Sequence, residues 1–417
     1  MRFALLFLFI TAPAFAGEGG AWLKTMREAR AAAKTGDRPI LVDFQAVWCY
    51  SCYYMHDHVL SRARFREAAR DIVLLKLDVD TVEGRRLRDK YQARFLPSYV
   101  LVDAAGKEIG RIIGEQTEKD FIEKLDFLKS RRPSGALAGL SKLYEMGRYG
   151  EAAKYRDAEL KKDAGLANDD RWSRLSARLD LRRAHKAKDA AAAASALERV
   201  LELPADCALP YDFWRARSYL DKKDHAELLA RQLKALEALA ERGVFGPQQA
   251  RCADLRSAAA ALGDVYEDLG LESKRSALLE KTISLLKGSA KKIGTDRNHD
   301  DNLRYFLELA GRQAELDVFY PKLIEAYPAD YVYAYRYAKN LVKRKKARAA
   351  LFWVEKAYLL SYGVNRLSVA GARAKILVSM ARSDEARKLL EREIRANRKR
   401  FPEAVSALEG QLKELSG

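Results

Sequence analysis

Residues 42–52 read VDFQAVWCYSC and lead from an apolar run into two cysteines three positions apart. Ile40 to Phe44 is rich in branched and aromatic residues and has the length expected of a buried strand. A helix that begins after this strand would place Cys49 at its N-terminus, where unpaired backbone N–H groups stabilise a thiolate. Cys52, one helical turn further on, can reach the same sulfur. The spacing therefore predicts a redox pair in which Cys49 attacks and Cys52 resolves.

The pattern around this stretch alternates strands with helices. Apolar residues recur at helical spacing before the first strand and predict an amphipathic helix. Short runs of branched residues predict further strands, and a turn that ends in Gly106 joins the last two. The predicted elements are a helix at 21–35, strands at 40–44, 72–79, 98–102 and 107–113, and a helix at 117–129. Together they describe an α/β sandwich with a mixed sheet.

Two further features accompany the cysteines. Asp43 lies six residues before Cys49, and Pro97, within the sequence FLPS, opens a later predicted strand. With the W-C-x-x-C motif, these features resemble the thioredoxin family. The segment is most similar to the thioredoxin-like domains of exported reductants, including the C-terminal domain of the transmembrane disulfide reductase. Met55 agrees with that group, whereas His56 replaces its usual glutamate.

The resemblance implies roles for residues outside the pair. Pro97, at a position that is cis in that family, would lie beside the cysteines, and the backbone before it would pair with the bound substrate chain. Asp43 would be buried behind Cys52 as a proton acceptor. Trp48 and His56 are auxiliary candidates next to the motif. The resemblance thus implies a thioredoxin-like site built from Cys49, Cys52, Asp43 and Pro97.

Two other kinds of site use cysteines at this spacing. A zinc site could take both cysteines with His56 and His58, but one short helix would then supply all four ligands, which usually come from separate segments. Covalent haem needs a histidine directly after the second cysteine, and Tyr53 occupies that position. His56 lies at i+4 from Cys52, yet we interpret it as a half-exposed surface histidine. No metal or other cofactor is predicted.

The N-terminus has the pattern of a secretory signal peptide. Arg2 precedes the apolar run 3–10, and AFA at residues 14–16 provides a small-residue cleavage site. The uncharged stretch is shorter than the ~20 residues that span a bilayer, which argues against a membrane anchor. We therefore expect residues 1–16 to be removed near Ala16 and the protein to be exported, either periplasmic or secreted. The formal net charge of +18 would favour nucleic acid as a partner, but export removes that expectation.

The charge is unevenly distributed along the 417 residues. Residues 17–130 contain 20 basic and 18 acidic residues, whereas residues 131–417 carry a net charge of +15. The sequence RRPSG at 131–135 interrupts a helical pattern with Pro and Gly. We expect a thioredoxin-like domain at 17–130, a linker at 131–136 and an all-helical region at 137–417.

The helical region shows a weak internal repeat. Residues 143–153, LYEMGRYGEAA, resemble the turn and second-helix start of a tetratricopeptide repeat. Related breaks recur at spacings of one or two helix pairs, for which the standard period is ~34 residues; they fall at Ala187, Gly270, Gly311, Arg344 and Ala381. A solenoid of this kind would offer a concave face to a protein partner, and a non-repeating helical bundle is the alternative. The tyrosines within residues 327–337 are expected to pack between helices.

The other two cysteines, Cys207 and Cys252, are each near a predicted loop or helix end. In an oxidising compartment they are expected to form a structural disulfide that closes a span of 45 residues. The alternative is two unpaired buried thiols that behave as small apolar side chains.

Two hypotheses about function follow from the sequence. The first is an exported thiol–disulfide oxidoreductase, favouring reduction, that acts on protein disulfides or dithiols and binds a protein partner on its helical array. Reduction would require an electron donor from the membrane, because the compartment itself is oxidising. The second is a scaffold in which the thioredoxin-like part is structural. The intact Cys49, Cys52 and Pro97 favour the first hypothesis.

Overall fold

A computed structural model describes residues 21–130, 135–220, 224–289 and 292–415. The predicted signal peptide at 1–16 and all but the last two residues of the predicted linker lie outside these ranges. Within the ranges, no helix combines the length and the apolar composition needed to cross a membrane.

The N-terminal domain is built on a four-stranded mixed sheet. Its strands are β1 Ile40–Gln45, β2 Val73–Asp78, β3 Ser98–Val102 and β4 Glu108–Ile113, in the order β2-β1-β3-β4. β1 runs parallel to β2, and β3 is antiparallel to both β1 and β4. The carboxyl ends of β1 and β2 therefore meet at one edge of the sheet, together with the start of β3.

Helices cover both faces of this sheet. They are α1 Met26–Lys34, α2 Tyr50–Met55, α3 Ala63–Ala68, α4 Val82–Lys90 and α5 Glu118–Lys129, and a π-helical turn His56–Leu60 continues α2. Ile40 and Val42 pack in the same core as α1, whereas Leu41 packs with Phe65 of α3 and Phe121 of α5. Alternate residues of a strand face opposite sides of a sheet, so β1 contributes to both cores. The predicted thioredoxin-like α/β sandwich is confirmed.

The first helix begins later than its periodicity predicts. The predicted start at residue 21 is wrong, because Thr25 caps the helix: its hydroxyl accepts from the Glu28 backbone N–H, and the Glu28 carboxylate accepts from that of Thr25. Before this cap, Leu23 forms a parallel bridge with Leu75 of β2. The apolar residue Trp22 therefore belongs to an extended segment, although its spacing fits the helix.

The rest of the described chain is helical. Its fifteen α-helices are α6 Ala136–Glu145, α7 Tyr149–Lys162, α8 Asp170–Ala187, α9 Ala190–Leu201, α10 Leu209–Arg217, α11 Ala226–Gly243, α12 Leu255–Asp268, α13 Glu272–Gly288, α14 Arg297–Leu309, α15 Gln313–Ala326, α16 Tyr331–Lys343, α17 Ala347–Leu360, α18 Gly363–Ser379, α19 Ser383–Asn397 and α20 Pro402–Glu414. Short 3-10 turns lie at Ala164–Asn168 and Gln248–Ala250. Consecutive helices pack on one another, as expected of a solenoid.

The turns within the helix pairs share one backbone feature. Six of them contain a residue with positive φ: Gly147, Lys188, Gly270, Gly311, Lys345 and Ala381. Each predicted break lies at or next to one of these residues. A left-handed residue after a helix ends it and reverses the chain direction, and glycine adopts this conformation most readily, which explains the three glycines among the six. The all-helical architecture is confirmed, and the tetratricopeptide resemblance stays a prediction.

The helical array packs directly on the sheet domain. α14 contacts α2, which carries the second cysteine of the motif. An ion pair and a hydrogen bond also cross the interface: Arg85 pairs with Glu403 at 2.7 Å, and His58 Nε2 lies 3.1 Å from Asp296 Oδ2. The array is therefore docked beside the motif, a contact that the sequence patterns did not predict.

Candidate active site

The two motif cysteines lie at the start of α2. β1 ends at Gln45, the Cys49 N–H donates to Ala46 O at 3.0 Å, and Cys49 then caps α2. Cys49 and Cys52 form a disulfide with a Cα–Cα distance of 5.3 Å. The Cys52 backbone N–H donates to Cys49 Sγ at 3.2 Å, so a donor that would stabilise a Cys49 thiolate is already in place. Both residues are largely buried, at 5% and 7% exposure.

Pro97 directly precedes β3, the strand next to β1. Its peptide bond with Leu96 is cis, and its carbonyl accepts from the Gly114 N–H at 2.9 Å. Ser98 is the β3 partner of Phe44 in β1, so Pro97 lies at the edge of the sheet where β1 leads towards the cysteines. Phe95 stands exposed next to it. The antiparallel register thus brings the proline segment to the same end of the sheet as the motif.

Asp43 is buried within β1, between Lys76 of β2 and Tyr99 of β3. Burial raises its pKa to about 7, and the positive charge of Lys76 opposes the rise only in part. Its Oδ1 atom has no hydrogen-bond partner among the described residues. A buried carboxyl of this kind can gain or lose a proton near neutral pH.

Trp48 is held by an acidic residue that the sequence analysis did not identify. Its indole N–H donates to Asp80 Oδ2 at 2.9 Å, and the Asp80 carbonyl accepts from the Val364 N–H of the array at 3.2 Å. Burial, together with the nearby charge of Asp78, raises the pKa of Asp80 to about 6. The strand pattern could have indicated this contact. Trp48 follows β1 and Asp80 follows β2, and two parallel strands end at the same edge of the sheet.

The two histidines after the motif have partners other than the sulfurs. His56 is half exposed, and its Nδ1 lies 2.8 Å from Asp57 Oδ1. His58 pairs with Asp296 across the domain interface. Among the described residues, no group of three or more His, Cys, Asp or Glu side chains is arranged to hold a metal ion. His56 therefore has no contact that supports an auxiliary role at the disulfide.

Tyr50, between the cysteines, is buried by the helical array. It is 3% exposed and belongs to the main apolar core of the array. Its hydroxyl donates to Asp330 Oδ2 at 3.3 Å, and its ring centroid lies 5.3 Å from that of Tyr333. The Arg336 guanidinium lies 5.1 Å from the ring, and the Asn298 side-chain amide donates to Tyr50 O at 3.3 Å. Of these array residues, only Tyr333 belongs to a group that the sequence marked, the tyrosines within residues 327–337, and nothing in that pattern predicted contact with Tyr50.

Glu115 lies next to Ser51, the second of the two residues between the cysteines. Its Oε1 accepts from the Asn298 amide at 3.3 Å. Burial raises the pKa of Glu115 above its ordinary value, and the negative charge of Asp254 adds to the rise.

The second pair of cysteines is joined within the array. Cys207 and Cys252 form a disulfide with a Cα–Cα distance of 5.5 Å. The Cys252 N–H donates to Gly243 O at 2.8 Å, which ties this loop to the end of α11. The bridge thus connects the segment before α10 to the segment before α12.

The N-terminal domain is similar to known proteins. A family model described as a thioredoxin-like domain matches residues 26–129. The thiol:disulfide interchange protein DsbD of Ralstonia nicotianae is 36% identical over 99 residues, which are 23% of this chain and 16% of that protein. Thioredoxin-2 of Saccharomyces cerevisiae is 32% identical over 92 residues, which are 22% of this chain and 83% of that protein.

Among solved structures, the C-terminal domain of DsbD from Neisseria meningitidis, in its oxidised form, is 24% identical. The match covers 25% of this chain and 97% of that one, with a TM-score of 0.23. The chain spans about one sixth of the length of the DsbD proteins that it matches. Through its N-terminal domain, the chain belongs to the thioredoxin family.

Proposed function

We propose that this protein is an exported thiol–disulfide oxidoreductase that reduces disulfides in other proteins. One observation carries the proposal: Cys49 and Cys52 form a disulfide at the start of α2, at the same end of the sheet as the cis Pro97. A helix N-terminus favours the thiolate, and the spacing lets the second sulfur resolve a mixed disulfide. The fold, the motif and the similarity to named thiol:disulfide interchange proteins support this function.

The reaction transfers two electrons in two exchange steps. The Cys49 thiolate attacks a substrate disulfide, forms a mixed disulfide and releases one substrate thiolate, which takes up a proton. Cys52 loses its proton and attacks Cys49 Sγ, which releases the second substrate thiolate and leaves the Cys49–Cys52 disulfide. Asp43, with a pKa of about 7, would accept the Cys52 proton. The substrate gains two electrons, and the protein loses two.

A further dithiol must then reduce the protein again. If residues 1–16 direct export, the surrounding compartment is oxidising and the electrons must come from a membrane donor. The DsbD relatives are named for thiol:disulfide interchange, which is compatible with this direction. The chain matches only a short part of those proteins, so the membrane donor is itself a proposal for this chain.

The array is the second part of the proposed function. It covers the motif on the side of Tyr50, whereas Trp48 and Phe95 stay exposed, at 37% and 59%. A substrate would therefore approach from the side of Trp48 and Phe95. We assign the binding of a protein partner to the array, whose net positive charge favours encounter with acidic surfaces.

Insulin reduction tests the proposal. The full chain with dithiothreitol should accelerate insulin reduction, and Cys52→Ala should accumulate mixed disulfides with client proteins that disappear on reduction. The matched control is the double variant Cys207→Ser/Cys252→Ser, which removes the other disulfide. If the full chain gives no acceleration and Cys52→Ala traps nothing, the scaffold hypothesis replaces the oxidoreductase.

A further inference from the structure

The helical array contributes side chains to the immediate surroundings of the disulfide. Tyr50 follows the proposed nucleophile Cys49 directly, and the array buries it almost completely. Its backbone carbonyl, hydroxyl and ring each have a partner on the array. The exchange steps proposed above use residues of the N-terminal domain, so these contacts from the array call for a separate physical explanation.

The first contact fixes the backbone between the cysteines. The Asn298 amide donates to Tyr50 O at 3.3 Å. Asn298 Oδ1 accepts from Asn302 Nδ2 at 3.1 Å, and Asn302 Oδ1 accepts from Arg256 Nε at 2.6 Å. Asn298 and Asn302 are both buried. This chain of hydrogen bonds holds the Asn298 side chain in one orientation, so it can restrain the peptide it binds.

The second contact fixes the tyrosine ring. Arg336 lies over the ring and donates to Asp301 Oδ1 at 2.9 Å. Asp301 is fully buried and also pairs with Arg304 and Arg256. Although burial alone would raise the pKa of Asp301, the three guanidinium groups hold it well below its ordinary value. Asp301 therefore stays ionised and anchors Arg336 against the ring.

We propose that Asn298 and Arg336 are positioning residues that hold the Tyr50-Ser51 dipeptide in the geometry of the disulfide. By favouring the closed disulfide, these contacts lower the reduction potential of the Cys49–Cys52 couple and make its dithiol more strongly reducing. This inference rests on the proposed function and adds a role for the array in setting the reduction potential of the same site.

The physical reason is preorganisation. Two thiols close to a disulfide more readily when the chain between them is already held in the closed geometry, because less conformational freedom is lost on closure. The array contacts are made with the disulfide closed. Removing these contacts does not alter the Cys49–Cys52 disulfide bond itself, but it increases the conformational freedom lost on closure. The disulfide then becomes easier to reduce.

The test is the equilibrium of the full chain with glutathione. Two glutathione thiols reduce the Cys49–Cys52 disulfide and form one glutathione disulfide, so two electrons and two protons are conserved. For Asn298→Ala we expect about a fivefold shift towards the dithiol, which at about 30 mV per tenfold is roughly 20 mV. For Arg336→Ala we expect about a threefold shift in the same direction.

The matched control is Asn340→Ala. Asn340 lies in the same helix as Arg336, and its amide donates to Gln313 Oε1 at 3.2 Å instead of contacting the motif. It should leave the equilibrium constant unchanged. An unchanged constant in both test variants, a shift equal to that of Asn340→Ala, or a shift towards the disulfide would each overturn the proposal.

A second measurement needs no variant and applies even if Asn298→Ala does not fold. The coupling between disulfide formation and the packing of the array on the N-terminal domain is reciprocal. If the packed array favours the disulfide, the disulfide must favour the packed array to the same extent. Hydrogen exchange in α14 and α16 of the wild-type chain should be slower in the oxidised than in the reduced form. Equal exchange in the two forms would contradict the inference. A failed insulin assay would instead refute the proposed function, since the glutathione equilibrium requires no protein substrate.

Discussion

The two regions of the molecule each contain one disulfide, and the two bridges differ in what they constrain. Cys49–Cys52 joins residues three apart at the start of one helix, whereas Cys207–Cys252 joins residues 45 apart within the array. In the loop-entropy model, the short bridge stabilises the fold by roughly 1.5 kcal/mol and the long one by about 4 kcal/mol. The comparison indicates that a short bridge can open and close during a reaction at little cost to the fold, while a long one is suited to structure.

The largest effect is expected from removing the proposed nucleophile. Cys49→Ser should reduce insulin turnover to the uncatalysed background, because a serine hydroxyl at a helix N-terminus does not form the anion that a thiol does. Turnover is measured by the turbidity of reduced insulin chains. Substantial turnover by Cys49→Ser would show that Cys52 attacks first and that the assigned roles are reversed.

The long bridge should matter for stability and not for chemistry. Cys207→Ser/Cys252→Ser should lower the free energy of unfolding of the array by about 4 kcal/mol, measured by urea denaturation. Insulin turnover should stay at the wild-type level below the unfolding transition. Mass spectrometry of a non-reduced digest provides the direct check, and free thiols at both positions would contradict the assignment.

Asp43 should make the stability of the N-terminal domain depend on pH. Its pKa of about 7 exceeds the ordinary 3.8, so between these values the folded state binds more protons than the unfolded state. Stability therefore falls as pH rises through this window, by as much as about 4 kcal/mol above pH 7. Asp43→Asn should remove most of this dependence and slow insulin turnover.

Denaturation at pH 5 and pH 8 measures the difference. The wild type should lose stability between pH 5 and pH 8, and Asp43→Asn should lose much less. The difference in stability between the variant and the wild type should therefore favour the variant more at pH 8 than at pH 5. The exposed Asp89→Asn of the same domain serves as the control and should give parallel curves. The same pH dependence in Asp43→Asn and wild type would assign the effect to another group.

The smallest effect is expected from the contact that orients Trp48. Asp80→Ala removes the acceptor of the indole N–H, a hydrogen bond worth roughly 1 kcal/mol. We expect KM for a disulfide substrate to rise by at most about fivefold, because Trp48 is an exposed part of the proposed substrate surface. The reduction potential should stay close to wild type. A large change in potential would mean that Asp80 acts on the couple itself.

Most of the fold could be predicted because it follows from local patterns. β3 is found at its predicted bounds, and Thr117 caps α5 at the predicted start. The breaks at Gly270 and Gly311 coincide with left-handed residues between helices. The periodicity places the start of α1 too early because the apolar spacing extends back to Trp22, whereas the capping box at Thr25 makes the helix begin only at Met26.

For the site, too, one part could be predicted from local sequence and another could not. The sequence by itself determined the redox pair, since two cysteines three apart after a strand are one helical turn apart wherever the domain is placed. Only the tertiary structure decided what surrounds them: Asp330 is 280 residues from Tyr50, and Asn298 is 248 residues from it. Periodicity and motifs report neighbours within a few residues along the chain. The position of α14 and α16 over the motif depends instead on the summed geometry of every turn between them, which no single stretch of sequence contains.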